Sequence, residues 1–407
     1  MTALPPRDIP VVIAGAGIGG LAVALALAGH GVASTLLERR SEPGEAGAGI
    51  QIGPNGVHIL RALGVADPLA PMAGQPQAID IRDGRSGRVM ACLPLGAEIE
   101  ARLGAPYWTA HRADLHAALL AKVKATAEIE LITGFPVDDI AQAGSEGVVE
   151  AIAADGRRAR GCAVIGADGL WSTTRRHVRG DESPAAQPRF TGRRAYRAVI
   201  PATEAPATLD AATRTNLWLA PGSHVVHYPV RGGRDIALVV IVTETTPSPG
   251  WATVASADEV RRHGLRFPAP LRDLLSVAPS WGAWGLHEVT PLHTWTRGPV
   301  ALLGDAAHPM LPFLAQGAVM ALEDAVVLAD CLARARCDGL GIARAFAGYE
   351  AQRRSRVGRV VTAASRNGTI YHLSGPAAFA RDLVLRATPG PRLLAGYDWL
   401  YGWRVGE

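Results

Sequence analysis

The sequence predicts an α/β protein with a Rossmann-like dinucleotide-binding domain, an inserted mixed β-sheet domain and C-terminal helices. Three observations carry this. The string GAGIGG (15–20) stands between an apolar run and a helix-forming run. From about 185 to 290 the chain becomes strand-rich and broken by Pro and Gly, and after 342 it reads mainly as helix.

The elements follow in order. PVVIAG (10–15) suits a buried parallel strand, GLAVALALAGHG (20–31) a helix stopped by glycines, and ASTLLERR (33–40) a second strand, which together make a βαβ unit. NGVHILRALGVADPLA (55–70) reads as helix. Residues 76–104 carry a hairpin signal around Asp83-Gly84 and Ser86-Gly87, and HRADLHAALLAKVKA (111–125) returns to helix. Strands follow in IELITG and in GVVEAIAADGRRARGCAVIGADG, with a hairpin at Asp155-Gly156. RRAYRAVIP, TNLWLAPG, HVVHYPV and IALVVIVTE are the strands of the second region, interrupted by the helical piece DEVRRHGLRF. GPVALLGDAAH (298–308) is another buried strand, with helix from 317 to 337. These breaks divide the chain into a discontinuous dinucleotide-binding domain (1–75, 105–182 and 290–345), a substrate domain (76–104 and 183–289) and a helical region (346–407).

Composition excludes several classes. The 407 residues are 48% hydrophobic, which supplies an ample core. The net charge of +4 comes with an arginine bias, only Lys122 and Lys124 being lysine, and no patch or stripe marks a nucleic-acid partner. The dense run Arg353, Arg354, Arg356 and Arg359 reads as a solvated helix face. Cys92, Cys162, Cys331 and Cys337 form no CxxC pair and no metal spacing, so a reducing cytoplasm and no metal are expected. Residues 11–28 are apolar, but their spaced glycines make a strand-turn-helix, not a membrane span, and no basic segment precedes them as a signal peptide would require.

Three motifs carry chemistry. Gly15, Gly17 and Gly20 form G-x-G-x-x-G: a tight turn, an open approach for a diphosphate, and close packing of helix on strand. The helix N-terminus adds amide donors. Glu38 ends the second strand, where an acid accepts from a ribose diol. The pattern points to an adenine dinucleotide without separating NAD from FAD. The second motif is AVIGADGLWSTTRR (163–176), in which a strand delivers Asp168-Gly169 to a turn; alone, Asp168 reads equally as a turn former. The third is ALLGDAAHPMLPFLAQGAVMALEDA (301–325), with Asp305 at a strand end and Gly317-Ala318 baring amides at a helix start.

In this order and spacing, with GAGIQIGPN (47–55) and HRADLHAALL (111–120), the motifs resemble the single-component flavoprotein aromatic hydroxylases, which include salicylate 1-hydroxylase, 3-hydroxybenzoate 6-hydroxylase and 6-hydroxynicotinate 3-monooxygenase. The resemblance implies FAD as cofactor, NADH or NADPH and O₂ as co-substrates, and a small aromatic substrate hydroxylated through a C4a-hydroperoxyflavin. It implies that Gly15, Gly17 and Gly20 hold the FAD diphosphate, with Glu38 at the adenosine ribose and Arg39 beside it. Arg112 would reach the ribityl-diphosphate region, unless it is only an exposed helix-start arginine. Val137 would offer backbone near the adenine. Asp168 would serve both the diphosphate and nicotinamide-nucleotide use. Asp305 would take the ribityl and diphosphate, and Gly317, Ala318 and Val319 the flavin pyrimidine edge. A monomer or homodimer is expected.

An electron-rich ring reacts best as its phenolate, and free phenols titrate near ~10, so a base or relay is needed. On the strand GSHVVHYPV, period-two alternation puts His224, Val226 and Tyr228 on one face and His227 on the other. The His224/Tyr228 pair resembles that of the 6-hydroxynicotinate branch; the alternative is a buried pair that only stabilises the sheet. His308 reads as a loop-fixing residue more than a base. Pro312 is placed like the family proline over the flavin. Gln51 and Phe313 stand where that branch has histidines, which leaves room for a more apolar aromatic acid. Arg193, Arg194 and Arg197 are equal candidates for a carboxylate. A dehydrogenase without oxygen insertion and a non-catalytic flavin protein are the competing readings.

Overall fold

The computed structural model describes residues 9–44, 48–142, 147–180, 187–244 and 252–406. Gly47 of GAGIQIGPN and the boundary expected at 182/183 lie outside them. The chain forms a mixed α/β architecture around two large sheets.

The first sheet runs in the order Thr296–Arg297, Val300–Leu302, Ala163–Gly166, Val11–Ala14, Ser34–Glu38, Ile129–Thr133. All pairings are parallel except that of Thr296–Arg297. Val11–Ala14, Ala163–Gly166 and Val300–Leu302 are buried at every position, as expected for short apolar strands covered on both faces. Chain order reverses at Val11–Ala14, with Ser34–Glu38 on one side and Ala163–Gly166 on the other. That is a topological switch point, where α/β sheets open a crevice beyond their strand ends.

Helix Ile18–Gly29 follows the first strand and packs on helix Gly317–Cys337. Gly19 permits the contact: a Cβ there would come within 2.6 Å of the Leu303 side chain and 3.2 Å of Ala321.

The second sheet has eight strands, in the order Ala252–Ser256, Ser280–Glu288, Arg189–Pro201, Asp235–Thr243, Ser223–Val230, Arg214–Ala220, Ala78–Asp83, Val89–Pro94. Only the Arg214–Ala220/Ala78–Asp83 pair is parallel. One face, with Tyr196, Trp218, Leu238 and Val240, buries itself under helices Ala257–Gly264 and Ala269–Val277. The other face turns toward the loop Pro312–Leu314 and the end of helix Ile342–Tyr371. A two-stranded ribbon, Gly49–Ile52 with Trp108–His111, lies against this sheet, and the Thr109 hydroxyl donates to the Pro229 carbonyl.

Some expectations need correction. Helix Gly96–Leu103 was expected within a strand-bearing segment of the substrate domain, yet its Ile99 is buried in the first core. The boundary expected at 345/346 falls inside the unbroken helix Ile342–Tyr371. The arginine run is a solvated face only at Arg354 and Arg359. Arg353 is 1% exposed and donates to Asp324 and Glu323, both fully buried, each at 2.7 Å. Arg356 donates to both Glu323 oxygens, while Arg354 and Arg359 lie at the surface, Arg359 3.8 Å from the Trp399 ring centroid. Two buried carboxylates need cations, and helical spacing brings Arg353 and Arg356 to them.

Burial opposes the charge on Asp324, but His308 and Arg353 draw its pKa down to about 2. Arg353→Ala leaves these carboxylates short of a cation and should cost about 3–5 kcal/mol in denaturant unfolding. The folded pKa of Asp324 lies below its ordinary 3.8. Its contribution is therefore complete above about pH 4 and lost as pH falls toward 2. The stability gap between wild type and Asp324→Asn should hold steady from pH 7 to about 4 and close below that.

Candidate active site

The glycine loop leaves the central strand at Gly15, whose φ is +104°. A Cβ there would meet the Ala167 carbonyl oxygen at 2.6 Å, and one at Gly20 would lie 1.8 Å from the Gly15 carbonyl oxygen. Only glycine fits either place. Gly17 caps the helix in extended conformation, so the first-turn amides face the loop. Ala16 is clamped on both sides: its amide donates to Glu38 Oε2 at 3.0 Å, and its carbonyl accepts from His116 Nε2 at 2.8 Å. Glu38 Oε1 accepts from the Arg40 amide at 2.9 Å. Arg39 is exposed beside it.

Two further loops reach the same crevice from the ends of the adjoining strands. Asp168 follows Ala163–Gly166; its Oδ2 accepts from the amides and hydroxyls of Thr173 and Thr174, holding the start of the short helix Thr174–Arg179. Its Oδ1 is buried and unpartnered among the described residues. The Thr173 hydroxyl also donates to the Val137 carbonyl at 2.8 Å. Asp305 lies in the turn Gly304–Ala306, beyond Val300–Leu302, and is exposed.

Arg175, almost wholly buried, joins these two loops by donating to the carbonyls of Gly169, Leu170, Asp305 and Ala306. The turn is held from behind by Asp324, which accepts from the Gly304 amide at 3.1 Å and from His308 Nε2 at 2.6 Å. His308 therefore fixes the loop.

Pro312–Leu314 forms a helical turn that ends at Ala315 in the left-handed region, φ +52°. A residue with a Cβ is strained there, and such strain persists where surrounding structure enforces a loop shape. The amides of Gly317, Ala318 and Val319 open the next helix and have no acceptor within it. Gly317 and Ala318 are half-buried, while the Val319 side chain packs on Gly56. Arg112 starts helix Arg112–Lys124, and its amide donates to the Ala48 carbonyl at 2.7 Å.

The inner face of the second sheet carries His224 and Tyr228, each 2% exposed. His224 Nδ1 is 2.8 Å from His372 Nε2, and its ring meets Phe313 at 5.5 Å and Tyr371 at 5.3 Å. Burial, then His372 and Arg193, holds its pKa well below the ordinary histidine value. Burial pushes the Tyr228 phenol up, against the pull of Arg197. A Cβ at Gly49 would lie 2.5 Å from the Tyr228 ring, so that close approach requires glycine.

Gln51 Oε1 accepts from the Tyr107 hydroxyl at 2.6 Å. The Phe313 ring is buried, seated where a Cβ on Gly368 would be 2.6 Å away. His227 points to the opposite face, beside Trp218.

The structure thus sets the glycine loop, Glu38, Asp168 and Asp305 at the ends of adjoining strands of the first sheet, and His224 and Tyr228 on the second sheet, with Phe313 of the turn Pro312–Leu314 against His224. His116, Arg175, Asp324, Tyr107 and His372 are additions. Of these only His116, four residues after Arg112 on one helix face, left a local trace in the sequence.

A family model described as an FAD binding domain matches residues 8–364. The chain belongs to this family. It is 36% identical over 402 residues to a 3-hydroxybenzoate 6-hydroxylase of Polaromonas naphthalenivorans, covering 99% of this chain and 98% of the relative. It is 38% identical over 403 residues to a 3-amino-4-hydroxybenzoate 2-monooxygenase of Streptomyces cremeus, covering 98% and 96%. Among solved structures it matches Klebsiella pneumoniae HpxO complexed with FAD and uric acid (TM-score 0.86, 28% identity, covering 99% and 100%). It also matches a salicylate hydroxylase substrate complex (TM-score 0.82, 26% identity, covering 98% and 97%).

The chain is a single-component flavin-dependent monooxygenase with FAD as cofactor and NAD(P)H and O₂ as co-substrates. The crevice fits that cofactor: the Cβ-free loop leaves room for a diphosphate, and the orphaned Asp168 Oδ1 is an acceptor without a donor. Among the described residues no helix is long and apolar enough to cross a membrane, and no cluster of three His, Cys, Asp or Glu could hold a metal.

Asp305→Ala should weaken FAD retention about 10- to 100-fold, the worth of one charge-assisted hydrogen bond. Gel filtration followed by the flavin-to-protein absorbance ratio measures it, and excess FAD should restore the ratio. Gly20→Ala, which moves the loop itself, should not be refilled.

Proposed function

We propose that the protein hydroxylates a hydroxybenzoate-type aromatic acid, held between FAD and the inner face of the second sheet. The observation that carries this is a neutral buried histidine and a protonated buried tyrosine on one face, opposite the loop Pro312–Leu314. In this reading residues 76–104 and 183–289 form a substrate domain inserted into the FAD-binding one, although helix Gly96–Leu103 packs with the first core.

Bound FAD supplies the oxygen-transfer chemistry once NAD(P)H has reduced it. The residues of the chain bind, orient and manage protons. Gly15, Gly17 and Gly20 take the diphosphate, Glu38 and Arg39 the adenosine ribose, and Val137 the adenine edge. Arg112, Asp168 and Asp305 take the diphosphate and ribityl chain, and Gly317, Ala318 and Val319 the flavin edge. Pro312 shapes the loop over the ring.

His224 Nδ1 shares a hydrogen bond with His372 Nε2 whose direction the tautomer sets. In the tautomer we assign, His224 donates, which leaves its Nε2 lone pair to take the substrate's phenolic proton. The depressed pKa keeps that lone pair free at neutral pH. Tyr228 stays protonated and donates, so it positions and His224 is the base. Gln51, fixed by Tyr107, and the apolar Phe313 line a pocket poorer in histidine than that of the 6-hydroxynicotinate branch, which favours a benzoate over a pyridine.

The named activities of the relatives support the same class. The 38% identity to an aminohydroxybenzoate monooxygenase makes 3-amino-4-hydroxybenzoate a second candidate substrate. The four described cysteines are all free, which fits a reducing compartment such as the cytoplasm.

A panel of 3-hydroxybenzoate, salicylate, 3-amino-4-hydroxybenzoate and 6-hydroxynicotinate, scored by NADH and NADPH consumption and product mass, tests the reading. A hydroxybenzoate should stimulate oxidation and gain one oxygen; stimulation by none of them would sink it. His224→Phe should keep FAD and lower hydroxylation by about 10²–10⁴-fold, with hydrogen peroxide rising in its place. Wild-type coupling in that variant would remove the role given to His224. The acid limb of kcat/KM from His224 should lie below pH ~6.5, the ordinary histidine value.

A further inference from the structure

The inner face that carries His224 and Tyr228 also carries a half-buried cation with no carboxylate partner among the described residues. Arg197 stands opposite Val239, which stands opposite Val226, the residue between His224 and Tyr228 on that face. Its guanidinium lies 5.3 Å from the centroid of the Trp284 ring. No carboxylate among the described residues pairs with it, and its Nε is wholly buried and unpartnered. Burial disfavours its charge, Tyr228 offsets that, and Arg112 adds a second positive charge nearby. A guanidinium partly withdrawn from water, with a buried and unpartnered Nε, favours an anion that the described residues do not supply.

The three candidate arginines are no longer equivalent. Arg194 is on the opposite face, 3.1 Å from Glu259 and 3.5 Å from Glu244. Arg193 lies over Phe313 and feels the counter-charge of Glu288. Arg197 alone has neither another face nor an acid.

We propose that Arg197 binds the carboxylate of the aromatic substrate, so that it selects acids over neutral phenols and sets which ring carbon faces the flavin. This rests on the hydroxybenzoate reading above. The geometry suits the task. Arg197 is two strands from His224, about 10 Å at sheet spacing, so an aromatic acid between them can direct its carboxylate to one and its hydroxyl to the other. Small and apolar residues, Ala195, Val239 and Ile241, floor the space between. Stacking on Trp284 holds the guanidinium plane, and a planar fork accepts a carboxylate through two parallel hydrogen bonds.

The test uses FAD-loaded wild type, Arg197→Met and Arg197→Lys, with 3-hydroxybenzoate and its uncharged counterpart 3-hydroxybenzamide. Dissociation constants come from perturbation of the flavin spectrum and from calorimetry. Wild type should bind the acid at least about tenfold tighter than the amide. Arg197→Met should weaken the acid about 100-fold and the amide less than about threefold, with flavin content unchanged. Arg197→Lys, which keeps a point charge without the fork, should recover part of the acid binding.

Equal affinity for acid and amide in wild type overturns the assignment without any variant. So does equal weakening of both ligands in Arg197→Met, or acid binding that survives the substitution. Loss of FAD in step with acid binding reassigns the guanidinium to the cofactor and overturns it too. If neither ligand perturbs wild type and no hydroxybenzoate stimulates NAD(P)H oxidation, the hydroxybenzoate reading falls and this assignment with it.

Discussion

One fully buried carboxylate, Asp324, holds the cofactor-facing wall in place. Its two oxygens accept from the Gly304 amide and His308, at the two ends of one turn, and from Arg353 on a distant helix. A charge taken out of water tolerates no missing partner, so the three are held together or the whole corner is destabilised. The turn bearing Asp305 lies between Gly304 and His308, both tied to this one group. Arg175 grips the same turn from the other side through two backbone carbonyls. Asp305 is exposed on a turn whose surroundings are fixed, which suits the cofactor contact proposed for it.

The second constraint is sheet alternation. Each strand of the eight-stranded sheet sends neighbouring residues to opposite sides. In Arg189–Pro201 this puts Arg194 and Tyr196 with Glu259 under the outer helices, and Arg193, Ala195 and Arg197 toward the loop Pro312–Leu314. The same rule separates His224 and Tyr228 from His227. The outer face pairs Arg194 with Glu259 and Glu244, whereas Arg197 on the inner face has no carboxylate partner among the described residues. That difference in charge pairing is what the proposed binding side of the sheet rests on.

What the sequence disclosed depended on how local the cause was. Gly15 and Gly20 are legible because the clashes they avoid are with Ala167 and with Gly15 itself, in loops of recognisable pattern. The face shared by His224 and Tyr228 is legible because strand alternation needs no partner. Arg353 was misread because an arginine run at helical spacing looks solvated, and its two carboxylates lie 29 and 30 residues away. His372 meets His224 across 148 residues, and Tyr107 meets Gln51 across 56, distances at which no sequence period carries a signal. The ribbon Gly49–Ile52 with Trp108–His111 was missed because its strands are four residues each, and helix Gly96–Leu103 because the alternating residues before it suggested strand.

With the roles proposed for Arg197 and His224, the electrostatics of the inner face couple binding to proton transfer. Before substrate arrives the pocket holds cations, a neutral histidine and a protonated tyrosine. Burial and the positive charge of Arg193 both keep His224 unprotonated, which preserves an acceptor but makes it a weak one. A carboxylate seated on Arg197 brings a negative charge into the same low-dielectric space. A nearby anion favours the protonated form of histidine, so His224 becomes a stronger base when an acid substrate is present than when the pocket is empty. A neutral phenol brings no such charge, and its proton would have to pass to a base still held down by its surroundings. Selection for an acid and activation of its hydroxyl are then two effects of one added charge, arranged by the alternation of two strands.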